Sequence, residues 1–310
     1  MEFFKLNTHI KFLQARKLAM VLSLVLVIAS ITSLAMRGMN WGLDFTGGTV
    51  VELKYPEPIT INEIRSLLDR NGFADAVIQH FGSTRDIMVR LTPRADMSEQ
   101  QVGAQLLQIL QGDTPDVELL RVDVVGAQIG QEMAEKGGLA ILVALIGTMI
   151  YIAIRFEWKF AVGAAVALAH DPIIILGIFS FFQFEFDLAA LAAILAVIGY
   201  SLNDTIVVFD RVRENFKKLR KGDTIEIMNT SLNQTLSRTL MTSFLTLLVV
   251  VSLLIYGGTT LFGFSLALFI GVIVGTYSSI YVASPIALAL GLKRTDLIPN
   301  TKDNPIDDLP

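Results

Sequence analysis

Cysteine is missing from the whole chain, so no disulfide and no thiolate metal site can form, and the redox compartment stays open. Phosphate-cradling signatures are missing too. The glycine pair Gly47 and Gly48 sits outside any G-x-G-x-x-G pattern and has no P-loop lysine, which argues against a nucleotide role. The D-F-T-G beginning at Asp44 lacks the second such carboxylate that an aspartic protease pairs with it. His170 and Asp171 do not form H-E-x-x-H, and neighbours on a helix point about 100° apart, so they do not chelate one metal from the same face. These absences lead us to expect neither metal nor cofactor. Positive charge is also absent from two short stretches between apolar runs, residues 183–187 and 257–260.

What is present is apolar. Hydrophobic residues make up 53% of the chain and the mean hydropathy is +0.57, values that place it in a bilayer. Taking ~20 apolar residues as a crossing, spans are expected at about 18–36, 137–154, 160–182, 188–209, 239–256 and 261–290. The first could be a cleaved secretory signal, but its apolar run exceeds the usual ~7–15 residues, and a retained helix is expected. The formal charge of −4 conceals a segregation by position. Lys5, Lys11, Arg16 and Lys17 precede the first span, Arg155 and Lys159 flank the second loop, the basic loop 210–238 holds seven Lys or Arg, and Lys293 and Arg294 follow the last span. Short positive loops stay in the cytoplasm. Both termini are therefore expected inside, and residues 37–136 outside.

That outer segment is long enough for one small domain. Strands are predicted over 47–55, in "AVIQHFG" and "DIMVRL", and in "VELLRVDVV"; helices follow Thr60 and Ser98, with Thr60–Glu63 and Ser98–Gln101 as capping boxes. The order β-α-β-β-α-β suggests an α+β, ferredoxin-like periplasmic domain between the first two spans, a fold that specifies no function. Its 15 acids against 9 bases disfavour a nucleic-acid partner. "WGLDFTGGT" joins the first span to this domain. Adjacent glycines permit close backbone approach, and the plain reading of Asp44, Gly47 and Gly48 is a rigid turn beneath the domain.

Within the spans, polar residues are few, because a central Asp costs ~2.5–3.5 kcal/mol on insertion scales. His170 and Asp171 fall in the third span, Asn203 and Asp204 in the fourth, and Arg238 opens the fifth. His170 could be glue between helices, and Arg238 a snorkelling anchor. Asp204 is harder to explain in that way. It lies six residues, ~9 Å, from Asp210 at the cytoplasmic end of its span, too far for so short a side chain to reach headgroups. It is either a structural hydrogen-bonding group or a proton carrier. Elsewhere Gly271 and Gly275 form a G-x-x-x-G, and Gly163, Ala164 and Ala167 give a small face, both suited to tight helix contact. Residues 223–239 read as an interfacial amphipathic helix or a solvated connector, with Ile225, Met228 and Leu232 on one side. The tail from residue 291, acidic and proline-bearing beyond Thr301, reads as disordered.

Three of these motifs, "NWGLDFTGGT", "ALAHD" and "GYSLNDTIVVFDRVREN", closely resemble the SecF branch of the SecD/SecF family of bacterial protein-export membrane proteins, in the resistance-nodulation-division superfamily. The resemblance covers essentially the whole chain. It implies a multi-pass protein of the inner membrane that pairs with SecD, a related six-span protein, and assists the SecYEG translocon by using proton flow to move a preprotein. It also implies that Asp204, in the N-D-T that Asn203 begins, takes part in proton passage together with Arg238; for His170 and Asp171 it implies membership only, and we expect them in the same relay. Such a protein is not an enzyme in the ordinary sense. Two alternatives stand beside this reading: a non-catalytic assembly subunit, and a proton-coupled exporter of small molecules or lipids.

Overall fold

A computed structural model of the chain describes residues 8–81, 83–93, 97–113, 116–219 and 223–293. Part of the tail read as disordered, from 294 onward, lies outside them, as do Lys5, Arg220, Lys221 and Arg294 of the basic count. A 3-10 turn, Phe12–Gln14, leads into α1, Arg16–Arg37, then β1, Asn40–Trp41, α2, Leu43–Thr46, and β2, Gly48–Lys54. The outer domain continues with α3, Ile61–Arg70, β3, Val77–Phe81, β4, Ser83–Leu91, α4, Glu99–Asp113, and β5, Glu118–Val125. Then come α5, Ala127–Arg155, α6, Trp158–Phe182, β6, Glu185–Phe186, α7, Leu188–Lys218, and α8, Thr224–Tyr256. The last crossing is composite: α9, Gly258–Ser278, a π-helical stretch, Ser279–Ala283, and α10, Ser284–Ala289.

Among the described residues, six helices are long and apolar enough to cross a membrane. Several outrun their apolar stretches. Helix α5 starts at Ala127, well before its hydrophobic run, and α7 continues to Lys218. Hydropathy reports where lipid begins, whereas the backbone stops only at a stop signal. Gln183 ends α6 in the left-handed region at φ 55°, Asp187 starts α7 by accepting from Ala190 N at 2.6 Å, and Asp223 starts α8 by accepting from Thr224 N at 2.8 Å.

Helices α6 and α7 form the centre of the bundle and α9 lies against α7. Ala164, Ala167, Ile175 and Phe179 of α6 are buried with Ala193, Ile194, Val197 and Val208 of α7. The expected G-x-x-x-G is used here. A Cβ on Gly271 would lie 2.2 Å from Val197 Cγ2, and one on Gly275 would lie 3.0 Å from Ser201 Cβ. Gly163 likewise accommodates the π-helical stretch, since its Cβ would meet Ala283 O at 2.5 Å. Helix α1 joins the outside of the bundle through Ala19, Ser23, Ser30 and Ser33, with Ser33 Oγ 3.0 Å from Ser180 Oγ on α6. Between helices in lipid no hydrophobic force operates, so small residues and hydroxyl bonds make the contact.

The stretch after Asp223 is neither an interfacial helix nor a free connector. It is the first half of α8, and its apolar side is taken by protein: Met228 and Leu232 are buried in the same core as Val212 and Phe216 of α7. Asn215 Nδ2 donates to Ser231 Oγ at 2.8 Å, and Asn229 Oδ1 accepts from Leu13 N of the N-terminal turn at 3.0 Å.

Between α1 and α5, β3-β4-β2-β5 form one antiparallel sheet. Alternation puts Val51 and Leu53 of β2 with Ile87, Val89 and Leu91 of β4 against Ile64 and Leu68 of α3 and Val102, Leu106 and Leu110 of α4. The Ser98 capping box forms, with Ser98 N donating to Gln101 Oε1 at 3.1 Å. The one expected at Thr60 does not. Glu63 N is instead taken by the Thr60 carbonyl at 3.2 Å, a tight first turn that leaves the hydroxyl without that donor.

Candidate functional site

His170 and Asp171 lie midway along α6, immediately before Pro172. Proline has no N–H to give, which loosens the helix at this point. Both side chains are buried, and His170 Nδ1 lies 2.9 Å from Asp171 Oδ1. Asp171 Oδ2 accepts from Ser201 Oγ of α7 at 2.5 Å and from Ser278 Oγ of α9 at 3.0 Å. One carboxyl thus ties three helices. Ser201 and Ser278 escaped the sequence reading because a serine inside an apolar run is weakly polar and common; their signal was position, in "YSLND" and "TYSS".

Asp204 is three residues beyond Ser201, ~4.5 Å further along α7. Ser201, Asp204, Thr205 and Val208 share one buried stripe at the spacing of a helix face. Asp204 is only 3% exposed, and among the described residues its Oδ2 has no hydrogen-bond partner. Arg238, on α8, faces outward and is the cation whose charge reaches the Asp204 carboxyl. Asn203 points away from the bundle. The structure therefore groups His170 with Asp171, brings Arg238 within electrostatic reach of Asp204, and turns Asn203 to the outer surface. A second hydroxyl chain, also missed from sequence, links the helices nearby: Tyr200 OH donates to Ser243 Oγ at 3.0 Å, and Ser243 Oγ lies 2.7 Å from Thr276 Oγ1.

At the end of the bundle where α6 ends and α7 begins, the glycine motif is a mortise. Asp44 Oδ2 accepts from Leu188 N at 2.9 Å, covering the first turn of α7, and β1 pairs with β6 in parallel. Gly47, at φ 67°, and Gly48, at φ 116°, both need the left-handed half of the map. A Cβ on Gly47 would stand 2.7 Å from Ala127 Cα, and one on Gly48 2.1 Å from Leu91 O. Arg90 of β4 donates to Trp41 O at 2.5 Å and lies 3.8 Å from Glu185 Oε1. Burial pushes the Glu185 and Asp187 carboxyls above the usual carboxylate range; Arg90 opposes this at Glu185, and the charge of Asp44 adds to it at both.

Residues 105–293 match the family described as protein export membrane protein SecD/SecF, C-terminal, and residues 32–55 match the SecD/SecF GG motif. The chain belongs to the SecD/SecF family. It is 52% identical over 296 residues to the protein translocase subunit SecF of Vibrio alginolyticus, covering 95% of this chain and 94% of that one. To the SecF subunit of Pseudomonas aeruginosa it is 49% identical over 301 residues, covering 97% and 98%. The crystal structure of SecDF, a translocon-associated membrane protein of Thermus thermophilus, superposes with a TM-score of 0.84 at 37% identity. The match covers 93% of this chain but only 39% of that longer SecDF chain. Within the SecD/SecF family the mortise at Gly47–Gly48 is the matched GG motif, and the polar core of α6 to α9 falls within the matched C-terminal region.

Proposed function

We propose that the chain is the SecF-type subunit of a SecD-paired accessory complex of the SecYEG translocon, and that it uses inward proton flow to promote movement of a preprotein across the bacterial inner membrane. Both termini lie in the cytoplasm and residues 37–136 in the periplasm. The observation that carries this reading is Asp204, a buried carboxyl in mid-span whose Oδ2 has no partner among the described residues. An Oδ2 without a donor ties no helices together, and its lone pair is open to a proton. Arg238 tunes it across the α7–α8 interface, Asn203 flanks it on the side a partner covers, and His170 and Asp171 are the relay's second polar group.

Each charge that crosses supplies ~2.3 kcal/mol per 100 mV. That energy would be delivered as movement of the outer domain, which stands on the Gly42–Gly48 mortise. The strand order β3-β4-β2-β5 with α3 and α4 on one face supports the ferredoxin-like reading of that domain.

The test is proton flux in sealed vesicles that hold the assembled complex and a pH-sensitive dye. Asp204→Asn keeps size and removes titration, so the complex should assemble while flux and proton-driven secretion fall to background. Flux equal to that of the unmodified complex would leave Asp204 as glue and favour the assembly-subunit reading.

A further inference from the structure

Hydrogen-bond bookkeeping at Asp171 decides more than helix contact. Its Oδ2 accepts from Ser201 Oγ at 2.5 Å, and Ser278 Oγ, 3.0 Å away, divides its one hydrogen between Oδ2 and Gly275 O at 3.2 Å, an acceptor role that suits a carboxylate. Its Oδ1 lies 2.9 Å from His170 Nδ1. With Asp171 as the carboxylate the hydrogen of this contact sits on Nδ1, and since a neutral imidazole has one N–H, Nε2 is then a bare lone pair. The His170 side chain is 4% exposed, and among the described residues Nε2 has no hydrogen-bond partner.

We propose that His170 Nε2 is a second proton-binding site in the membrane core, distinct from Asp204, with Asp171 as its fixed counter-anion. Without the proton, the pair carries one net negative charge in mid-bilayer. With the proton, it is an imidazolium facing a carboxylate and carries no net charge. The ligand is a proton rather than a metal ion, since no group of three His, Cys, Asp or Glu lies together among the described residues.

The other titratable groups around the site leave Asp171 as the counter-charge. From α9 comes Tyr277, ring to ring at 6.4 Å, whose hydroxyl donates to Ala19 O and accepts from Ser23 Oγ of α1. Tyr281 stands behind it at 5.3 Å in the π-helical stretch. From α7 comes Asp204, one turn past Ser201. The charge change at His170 is felt where Ser201 and Ser278 meet Asp171. Just there the chain is built to give, with Pro172 following on α6 and the π-helical stretch beginning after Ser278. Occupancy of Nε2 thus bears on how α7 sits against α9, and through α7 on Asp204. This last link rests on the relay reading; the binding atom does not.

The chain has three histidines, and His9 and His80 are exposed. His9→Gln with His80→Gln therefore leaves His170 as the sole imidazole of this chain, and labelling this chain alone with 15N-histidine before assembly with unlabelled partner makes it the one observed in solid-state NMR of the complex in lipid bilayers. At alkaline pH one protonated and one bare ring nitrogen are expected, with the proton on Nδ1. The bare resonance should be lost on acidification. In Asp171→Asn it should persist to more acidic pH, because the counter-anion is gone. An Nε2-protonated tautomer at alkaline pH, or a bare resonance that survives at every pH where the complex stays assembled, would overturn the site. An unmoved titration in Asp171→Asn would overturn the counter-anion. Asp204→Asn separates the two readings: His170 should still titrate while flux is lost, and flux retained with His170 still titrating would remove Asp204 from the relay and uphold the His170 site.

Discussion

At Gly48 one methyl group has nowhere to go. Its Cβ would sit 2.1 Å from a backbone carbonyl oxygen, Leu91 O, at φ 116°, and a carbonyl locked in the β2–β4 ladder cannot rotate aside. Gly48→Ala should destabilise the outer domain by about 3 kcal/mol or more, since clash and backbone strain add. Gly72 is the control. Its φ of 84° is also positive, but a Cβ there meets nothing within 4 Å, so Gly72→Ala should cost only ~1 kcal/mol. Limited proteolysis of the two variants should rank them in that order, and equal resistance would mean the mortise is looser than its distances imply. At this scale the sequence was legible where the chemistry is costly. An Asp in an apolar run has to be explained, and Asp204 could be picked out unaided. Ser201 and Ser278 could not, because their importance comes from Asp171, a residue on another helix.

Among the elements, β2 carries a group whose titration follows from its place in the sheet. Glu52 is buried on the face opposite the helices, in register with Arg121 of β5. Burial pushes its carboxyl up, Arg121 pulls it partly back, and Asp123 adds to the rise. The folded domain therefore holds the Glu52 proton more readily than the unfolded chain does. Stability falls as pH rises from the ordinary glutamate range through the raised folded value, and the burial cost stands in full at neutral pH. Glu52→Gln should raise the thermal midpoint of the outer domain at neutral pH and leave it unchanged at a pH below the ordinary glutamate range. A variant less stable at neutral pH would mean that the Arg121 attraction outweighs burial. A helix-level counterpart is Gly271→Val. With Val197 Cγ2 already 2.2 Å from where a Cβ would be, α9 should separate from α7, and detergent-solubilised protein should lose its compact form by gel filtration. Elements of this kind were legible wherever one face is apolar, as in β2, β4 and α3. The ends of α5, α7 and α8 were not, because those helices continue past the lipid into stretches whose partners are other helices.

On the scale of the whole molecule, the asymmetry of charge is the feature that sequence and structure share most directly. Arg155, Lys159, Lys217 and Lys218 gather at one end of the bundle, where α5 ends, α6 begins and α7 ends; Glu185, Asp187 and the outer domain gather at the other. A transmembrane potential acts on such an arrangement, and any proton moving through the α6–α7 core would pass between those two ends. The absence of cysteine makes the orientation directly measurable, because a single introduced thiol is the only target. His80→Cys reports on the outer domain, Tyr256→Cys, 86% exposed at the end of α8, on the outer loop, and Lys218→Cys on the end of α7. In sealed spheroplasts a membrane-impermeant maleimide should label the first two, and Lys218→Cys only after permeabilisation. Labelling of Lys218→Cys from outside would invert the molecule, place the mouth of the proposed relay on the wrong side of the potential, and end the case for inward proton flow through Asp204.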